Sequence, residues 1–457
     1  MAGRWAAASG PAGWPRGVGW CDTWDMGTSK RAAVRALRPL RDFLHTEAAG
    51  GTLLVGAATV ALVWANSPWR DSYRQVWDTM AAVSMGSVGL ALDLRHWVND
   101  AAMTLFFLVV GLEIRRETAT GHLAERRAAA LPLAAAVGGM AVPALLYLAI
   151  AGRDAAQGWG VPMATDIALA VGVLALAGSR VPQSLRAFLL GLAVVDDIGA
   201  IIVIAVFYSK GTELQWLGLA AAALAVTLGI RRAGVQRIVV YVALGIVLWI
   251  ALHEAGVHPT LAGVAMGLLA PTTPRPSTDL VDADDLDAAG GDGTAESLPM
   301  TAEAARLEVQ RARASVSTVE WLQHVLHPWT SYLVVPVFAL ANAGIEVSGE
   351  SLRSAASSTL TWGIVVGLLA GKPLGVVLVS LAAIRSGVAS RPDGTSLRHL
   401  AGAGAAAGIG FTVALFIAEL AFTDEAQLTD AKMGILVASV LSGLVSLAVL
   451  RRAPADG

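Results

Sequence analysis

Two adjacent carboxylates, Asp196 and Asp197, lie in the middle of an apolar stretch in which no other side chain from residue 187 to 207 can carry a charge. Ionisable groups in such surroundings are costly and usually line a path for ions or protons. Consecutive helical residues point in different directions, so one carboxylate can face a cation while the other faces a cationic side chain or water. Hard oxygen ligands favour Na⁺ or Li⁺, and the pair is suited to exchanging such a cation for a proton. The alternative is a hydrogen bond that packs two helices together.

Lys372 is the only lysine in the middle of an apolar stretch, and an ammonium at that depth needs a carboxylate. We predict Asp196 as its partner; the alternative is that Lys372 extends towards the membrane surface. Thr165 and Asp166 form a second polar site in an apolar stretch. They follow Pro162, which lacks a backbone donor and leaves a carbonyl unpaired.

A cluster of glycines in residues 402–410 occupies the position in the second half of the chain that Thr165 and Asp166 occupy in the first. Paired interruptions in two halves of a membrane protein indicate a transport site built from broken helices. At such a site Asp166 would compensate the positive helix N-termini and Lys372 the negative C-termini. An ordinary pair of kinked helices is the alternative.

The composition predicts the elements that hold these residues. The 457 residues are 55% hydrophobic and only 15% charged, with a mean hydropathy of +0.61. Apolar runs of about 20 residues recur along the chain, the length that crosses a bilayer as a helix. The fold class is therefore an all-α polytopic membrane protein. The single cysteine, Cys21, excludes an intrachain disulfide and a cysteine-based metal site.

About twelve spans are predicted within residues 46–452, among them the fifth at residues 184–208, the ninth at 325–345 and the twelfth at 433–450. Short loops rich in Arg place both termini in the cytoplasm. The opposite, outer loops carry few basic residues, among them Lys432. Residues 1–45 are predicted to be a tail followed by a basic amphipathic helix, residues 271–316 an acidic cytoplasmic insert, and residues 453–457 a C-terminal tail. The insert is interpreted as a solvated linker, with a regulatory element as the alternative. A hairpin outside the membrane is predicted in residues 83–97.

The second predicted span, residues 96–114, has polar groups at both ends. Asp100 lies at one end, and Glu113, Arg116 and Glu117 share one helix face at the other. From spacing alone, this face could be functional or merely a solvated helix end.

Several long motifs in this chain resemble the NhaA-type Na⁺/H⁺ antiporter family. The resemblance covers about residues 40–452 apart from the insert. The motifs are residues 106–114 (FFLVVGLEI), 164–168 (ATDIA), 195–200 (VDDIGA), 256–263 (GVHPTLAG), 325–329 (VLHPW), 371–375 (GKPLG) and 408–412 (GIGFT).

The resemblance implies twelve transmembrane helices in inverted repeats, with the fourth and eleventh crossing as discontinuous helices. It implies electrogenic, pH-regulated export of Na⁺, and of Li⁺, against entering H⁺. It also implies a homodimer in the cell membrane. No cofactor, nucleic acid or enzymatic activity is expected. The residues that match the family's motifs are the Na⁺/H⁺-binding pair Asp196 and Asp197, the broken-helix site Thr165 and Asp166, the partner lysine Lys372, Asp100 on the transport path, and Glu113, Arg116, Glu117 and His258 in the pH response.

The chain departs from the family pattern in a few places. Glu320 and Gln323 stand where a lysine and a glutamate of the pH-sensing surface are expected, and Glu419 replaces a small polar residue.

Two other functions would also use membrane carboxylates. An intramembrane aspartyl protease would need its two aspartates on different helices and has no need of Lys372. A sodium-coupled solute symporter on a similar fold is the other.

Overall fold

The computed structural model describes residues 47–85, 88–121, 123–209, 213–235, 237–272 and 317–454. The predicted tail and amphipathic helix of residues 1–45 lie outside these ranges. The predicted acidic insert also lies outside them, except for residues 271 and 272.

The described chain is helical apart from one hairpin. The helices are α1 (Glu47–Ala65), α2 (Arg70–Trp77), α3 (Leu94–Ala119), α4 (Arg126–Ala151), α5 (Ile167–Ala177), α6 (Gln183–Phe207), α7 (Leu214–Arg232), α8 (Ile238–Glu254), α9 (Leu261–Leu268), α10 (Thr318–Trp329), α11 (Val335–Asn342), α12 (Gly349–Ser357), α13 (Thr359–Arg385), α14 (Leu397–Ala407), α15 (Phe411–Ala421) and α16 (Glu425–Arg451). A 3₁₀ segment, Ala156–Met163, precedes α5.

Six helices of the described residues are long and apolar enough to cross a membrane, or nine if each pair of helices bent at a short break counts as one span. This confirms the predicted all-α polytopic fold. The count of twelve spans and the inverted repeats stay predictions.

Two helices begin well before the apolar runs that predicted them. α10 starts at Thr318, where Ser317 and Glu320 form a reciprocal capping box, whereas the sequence predicted a span from residue 325. α16 starts at Glu425 behind the cap Asp424, whereas the predicted span started at residue 433. Hydropathy follows only the apolar part of a helix, so the polar first turns were missed. The short surface helix α12 was not predicted.

The predicted hairpin is confirmed, although it begins a few residues earlier than expected. Strands β1 (Met80–Met85) and β2 (Val88–Asp93) pair antiparallel, with Met80 opposite Asp93. Asp93 ends β2 and accepts a 2.8 Å hydrogen bond from the backbone N–H of His96. The hairpin is thereby joined directly to the start of α3.

Glycines bring two pairs of membrane helices into backbone contact. A Cβ atom on Gly375 of α13 would lie 2.6 Å from the carbonyl carbon of Gly138 on α4. A Cβ atom on Gly267 of α9 would lie 2.6 Å from the carbonyl oxygen of Leu108 on α3. Small residues at membrane helix interfaces permit this close approach. Both contacts therefore require glycine, because a side chain would collide with the neighbouring backbone.

The centre of the molecule surrounds α15, in which every residue from 411 to 418 is buried. A helix that is apolar on all sides is typical of such a central position. Phe416 packs against Phe107 and Phe338, with ring centroids 5.3 and 6.2 Å apart.

Candidate functional site

Two broken helices meet at their breaks. The 3₁₀ segment and α5 are bent by 41° around residues 164–166, and α14 and α15 by 44° around residues 408–410. The backbone N–H of Asp166 donates to the carbonyl of Ile409 at 2.6 Å. The hydroxyl oxygen of Thr165 lies 3.0 Å from the carbonyl oxygen of Ala407. The interruptions predicted in the two halves of the chain are thus found in direct contact.

Asp166 lies where the N-terminal ends of α5 and α15 converge, and it is almost completely buried. Its Oδ1 atom accepts a 3.1 Å hydrogen bond from the backbone N–H of Leu169 in the first turn of α5. Its Oδ2 atom accepts from the backbone N–H and the hydroxyl of Thr412 in the first turn of α15, at 3.2 and 2.6 Å. A carboxylate at this point compensates the positive ends of both helices.

Lys372 lies at the same crossing, where it compensates a negative helix C-terminus rather than positive N-termini. It follows a π-helical turn of α13, Gly367–Gly371, and its side chain is fully buried. Its Nζ atom lies 2.9 Å from Oδ2 of Asp196 and also donates to the carbonyl of Met163, the last residue of the 3₁₀ segment. The ammonium therefore pairs with the carboxylate expected from the sequence and with a negative helix C-terminus.

The two oxygen atoms of Asp196 have different surroundings. Oδ2 accepts a 2.8 Å hydrogen bond from the hydroxyl of Thr165 and pairs with Lys372. Oδ1 is buried and has no hydrogen-bond partner among the described residues. Buried polar atoms in native proteins are usually satisfied, so an open carboxylate oxygen is a position at which a cation or a proton could bind.

Asp197 is the next residue on α6 and is also buried. The charged groups of Glu113, Asp196, Lys372 and Asp166 lie near enough to interact with it electrostatically. Several carboxylates and one ammonium thus converge on the break between the helices. The described residues contain no group of three or more His, Cys, Asp or Glu side chains arranged to hold a metal ion. Any cation here would be held by one or two carboxylates together with hydroxyl and carbonyl oxygens.

Asp100 lies apart from this crossing, at the hairpin end of α3. It belongs to a π-helical turn, Val98–Ala102, and its Oδ1 atom is 3.7 Å from Nε2 of His258. Its carbonyl accepts hydrogen bonds from the hydroxyl of Thr104 at 2.5 Å and from the indole N–H of Trp249 at 3.3 Å. The structure therefore brings Asp100 and His258 together, although the resemblance gave them different roles.

Glu113, Arg116 and Glu117 lie at the other end of α3. Glu113 lies thirteen positions after Asp100, which is about 20 Å along a helix axis. Glu113 is half-buried and acts on Asp197, whereas Arg116 is exposed. The four residues that the resemblance links to pH response therefore do not form one cluster, because His258 lies with Asp100.

Sequence reasoning missed two participants. Thr412 ends the motif of residues 408–412, but the sequence predicts no role for it. In the structure its N–H and its hydroxyl both donate hydrogen bonds to Asp166. Lys432 was assigned to an outer loop, and this prediction is wrong. It lies buried within α16 with its Nζ atom 2.6 Å from Oε1 of Glu419. Glu419 had been noted only as a departure from the family pattern.

The position of both carboxylates on α6 argues against an intramembrane aspartyl protease, whose two aspartates must face each other from different helices. Comparison with known proteins agrees with a transport function. A family model described as Na⁺/H⁺ antiporter 1 matches residues 41–450.

Similar proteins align over almost the whole chain. The Na⁺/H⁺ antiporter NhaA 3 of Frankia alni is 46% identical over 416 residues, which cover 90% of this chain and 88% of that protein. NhaA 2 of Myxococcus xanthus is 48% identical over 427 residues, with 92% and 90% covered. NhaA of Rhodopirellula baltica is 46% identical over 419 residues, with 91% and 94% covered.

Proposed function

The chain belongs to the Na⁺/H⁺ antiporter 1 family and is a multi-pass membrane transporter rather than an enzyme, and on this premise we propose that it exports Na⁺ in exchange for entering H⁺. Li⁺ is a second cargo, because the hard oxygen ligands suit both ions. The exchange moves more protons inward than cations outward and is therefore electrogenic. Its rate is regulated by pH, which serves sodium and pH homeostasis.

The observation that carries this proposal is the open Oδ1 atom of Asp196 beside the second carboxylate of Asp197. A dehydrated Na⁺ needs several oxygen ligands and negative charge close by. Asp196, Asp197 and the hydroxyl of Thr165, which lies at the helix break and bonds to Asp196, offer both. Protons and Na⁺ compete for the same carboxylates, so the binding of one releases the other.

Lys372 supports the exchange as the resident counter-ion of Asp196. Its ammonium holds Oδ2 while no metal cation is bound, at an N–O distance of 2.9 Å. A cation that enters between Asp196 and Asp197 replaces the ammonium of Lys372 in neutralising the charge of Asp196. Asp166 keeps the two helix N-termini compensated throughout, because its oxygens already bind Leu169 and Thr412.

Residues outside the crossing are given supporting roles. Asp100 lies on the transport path, and its neighbour His258 links that position to pH. Glu113, Arg116 and Glu117 contribute to the pH response from the other end of α3, where Glu113 acts on Asp197.

The protein is proposed to lie in the cell membrane with both termini cytoplasmic and to form a homodimer. Among the described residues, strands β1 and β2 pair only with each other, so each has an edge that a second copy could join. Residues 1–45 and the insert of residues 271–316 are proposed to be cytoplasmic, the insert as a solvated linker.

Proton movement in everted membrane vesicles tests the exchange directly. Adding Na⁺ or Li⁺ to vesicles that contain the wild-type protein is expected to release protons from the lumen within pH 6–9. A membrane potential imposed with K⁺ and valinomycin should change the rate if the exchange is electrogenic. No pH response to either cation would refute antiport, and a response that requires an organic solute would indicate a symporter.

The site assignment has its own test. Asp197→Asn keeps the shape of the side chain but removes the charge, and it is expected to abolish exchange. Asp154→Asn is the matched control, because Asp154 is exposed between α4 and the 3₁₀ segment. Normal exchange by Asp197→Asn would show that the cation binds elsewhere.

A further inference from the structure

A second buried ion pair lies outside the crossing. The Nζ atom of Lys432 on α16 is 2.6 Å from Oε1 of Glu419 on α15, and the two side chains are only 7% and 15% exposed. Another pair at this end of the molecule, Arg74 with Glu346, is 57% and 40% exposed. Burying two charges costs desolvation free energy that their mutual attraction often does not offset. A gain in stability therefore does not explain why this pair is buried.

Glu419 lies on the face of α15 that begins at the broken-helix site. Thr412, Phe416 and Glu419 are spaced i, i+4 and i+7, which places them in one row along a helix. Thr412 binds Asp166, and the ring of Phe416 is 5.1 Å from that of His258. Glu419 follows about 10 Å beyond Thr412 along the axis. This row leads from the site towards one end of the molecule.

Lys432, the partner of the last residue in this row, lines a cleft with a volume of about 820 Å³. Acidic residues predominate in the part of the lining contributed by the start of α16, namely Asp424, Glu425 and Asp430. The cleft lies among the α1–α2 connection, the start of α3 and the start of α16, on the side predicted to face outwards. Arg70, Arg74 and Arg95 line other parts of the cleft, so cations are attracted to its acidic α16 side, which Lys432 also lines.

We propose that Glu419 is an outer binding station for the transported cation, where Na⁺ or Li⁺ exchanges with the ammonium of Lys432. The station rests on the proposed antiport, and it repeats the chemistry of Asp196 and Lys372 at the outer end of the path. Each pair joins a buried carboxylate on one helix to a buried lysine on another. A cation that leaves the crossing can bind Glu419 while Lys432 turns into the cleft, and no covalent bond changes.

The rival explanation is that the pair only anchors α15 to α16. Single substitutions distinguish the two explanations, because the station predicts changes of opposite sign. Glu419→Gln removes the ligand and is expected to raise the KM for Na⁺ at the outer face by about 3-fold to 10-fold, or roughly 0.7 to 1.4 kcal/mol. Lys432→Met removes the competing ammonium and is expected to lower the same KM by about as much.

The KM for Na⁺ is measured at each face separately, in right-side-out and in everted vesicles at high pH. The inner-face KM should stay at the wild-type value in both variants. Arg74→Met and Glu346→Gln are the matched controls, because they make the same changes in an exposed pair that lines the same cleft. Outer-face KM values that move in the same direction for Glu419→Gln and Lys432→Met, or that do not move, overturn the station.

The double variant Glu419→Gln/Lys432→Met covers the case in which a single variant fails to fold, since it leaves no unpaired buried charge. Its outer-face KM should be raised as in Glu419→Gln, whereas a wild-type value would identify the pair as an anchor. The proposed function is judged by the wild-type protein alone. Wild-type exchange with unchanged variants rejects only the station, and absence of wild-type exchange rejects the antiport.

Discussion

Asp166 accepts two hydrogen bonds from Thr412, one from its backbone N–H at 3.2 Å and one from its hydroxyl at 2.6 Å. The same carboxylate caps α5 through Leu169. One side chain thus satisfies the first turns of two helices that come from different halves of the chain. This connection makes the two broken helices dependent on each other.

Asp166→Ala is expected to destabilise the protein by about 1 to 3 kcal/mol, because a helix cap and a second helix N-terminal contact are lost together. The melting temperature of the detergent-purified protein measures the effect. Asp424→Ala is the comparison, since Asp424 caps α16 alone at an exposed position. An equal loss in both variants would contradict the double role of Asp166.

Lys372→Met is expected to cost about 3 to 5 kcal/mol, because it leaves the carboxylate of Asp196 buried without a counter-ion. Asp196→Asn/Lys372→Met removes both charges and should recover much of this stability, although it should not transport. Thermal unfolding of the two single variants and the double variant gives the coupling energy of the pair. Additive losses would show that the 2.9 Å contact contributes nothing.

Gly375→Ala is expected to destabilise the protein by at least about 1 to 3 kcal/mol, because the new methyl group would press on the backbone of α4. Gly229→Ala on α7 is the control, since a Cβ atom there meets nothing within 4 Å. It should be neutral or stabilising by about 0.5 to 1 kcal/mol. Melting temperatures that fall alike would argue against the close contact of α4 and α13.

Deletion of residues 275–312 is expected to leave exchange intact, because the insert is proposed to be a solvated linker that takes no part in transport. The measurements are the initial exchange rate and its pH dependence in everted vesicles, at matched amounts of inserted protein. Lost exchange with normal insertion, or a shifted pH dependence, would instead identify a regulatory element.

If the proposed dimer forms through the hairpin, replacing residues 82–91 with a short Gly-Ser linker is expected to yield monomers, because the strand edges of β1 and β2 are removed. Light scattering of the protein in detergent gives the molecular mass of the particle. A mass that stays at two chains would place the dimer contact elsewhere.

The membrane helices and the charged centre were predictable for the same physical reason. Long apolar runs are rare outside membranes, so the run from residue 184 to 208 predicted α6, Gln183–Phe207, to within one residue at each end. A charge inside such a run is equally rare, and Asp196 and Lys372 were found in this way.

The remaining participants were hidden because nothing in their neighbourhood was unusual. Thr412 is a hydroxyl residue in a helix, and only the crossing shows which carboxylate it binds. Lys432 follows Asp424, Glu425 and Asp430, so this stretch resembled a solvated loop. Only the continuous helix α16 shows that Lys432 turns inwards. Contacts between distant segments cannot be inferred from local hydropathy.

The backbone contact between Gly138 and Gly375 distinguishes two motions: rotation of the Lys372 side chain and reorientation of the broken helices. It fixes α13, and with it the Cα atom of Lys372, to α4. The four-carbon chain of Lys372 can nevertheless rotate away from Asp196 without any shift of α13. Replacement of the lysine by a cation is therefore a rotamer change, whereas reorientation of the broken helices is a collective motion on the microsecond to millisecond scale. In the proposed exchange, the site can therefore change its occupant without moving the helices that carry it.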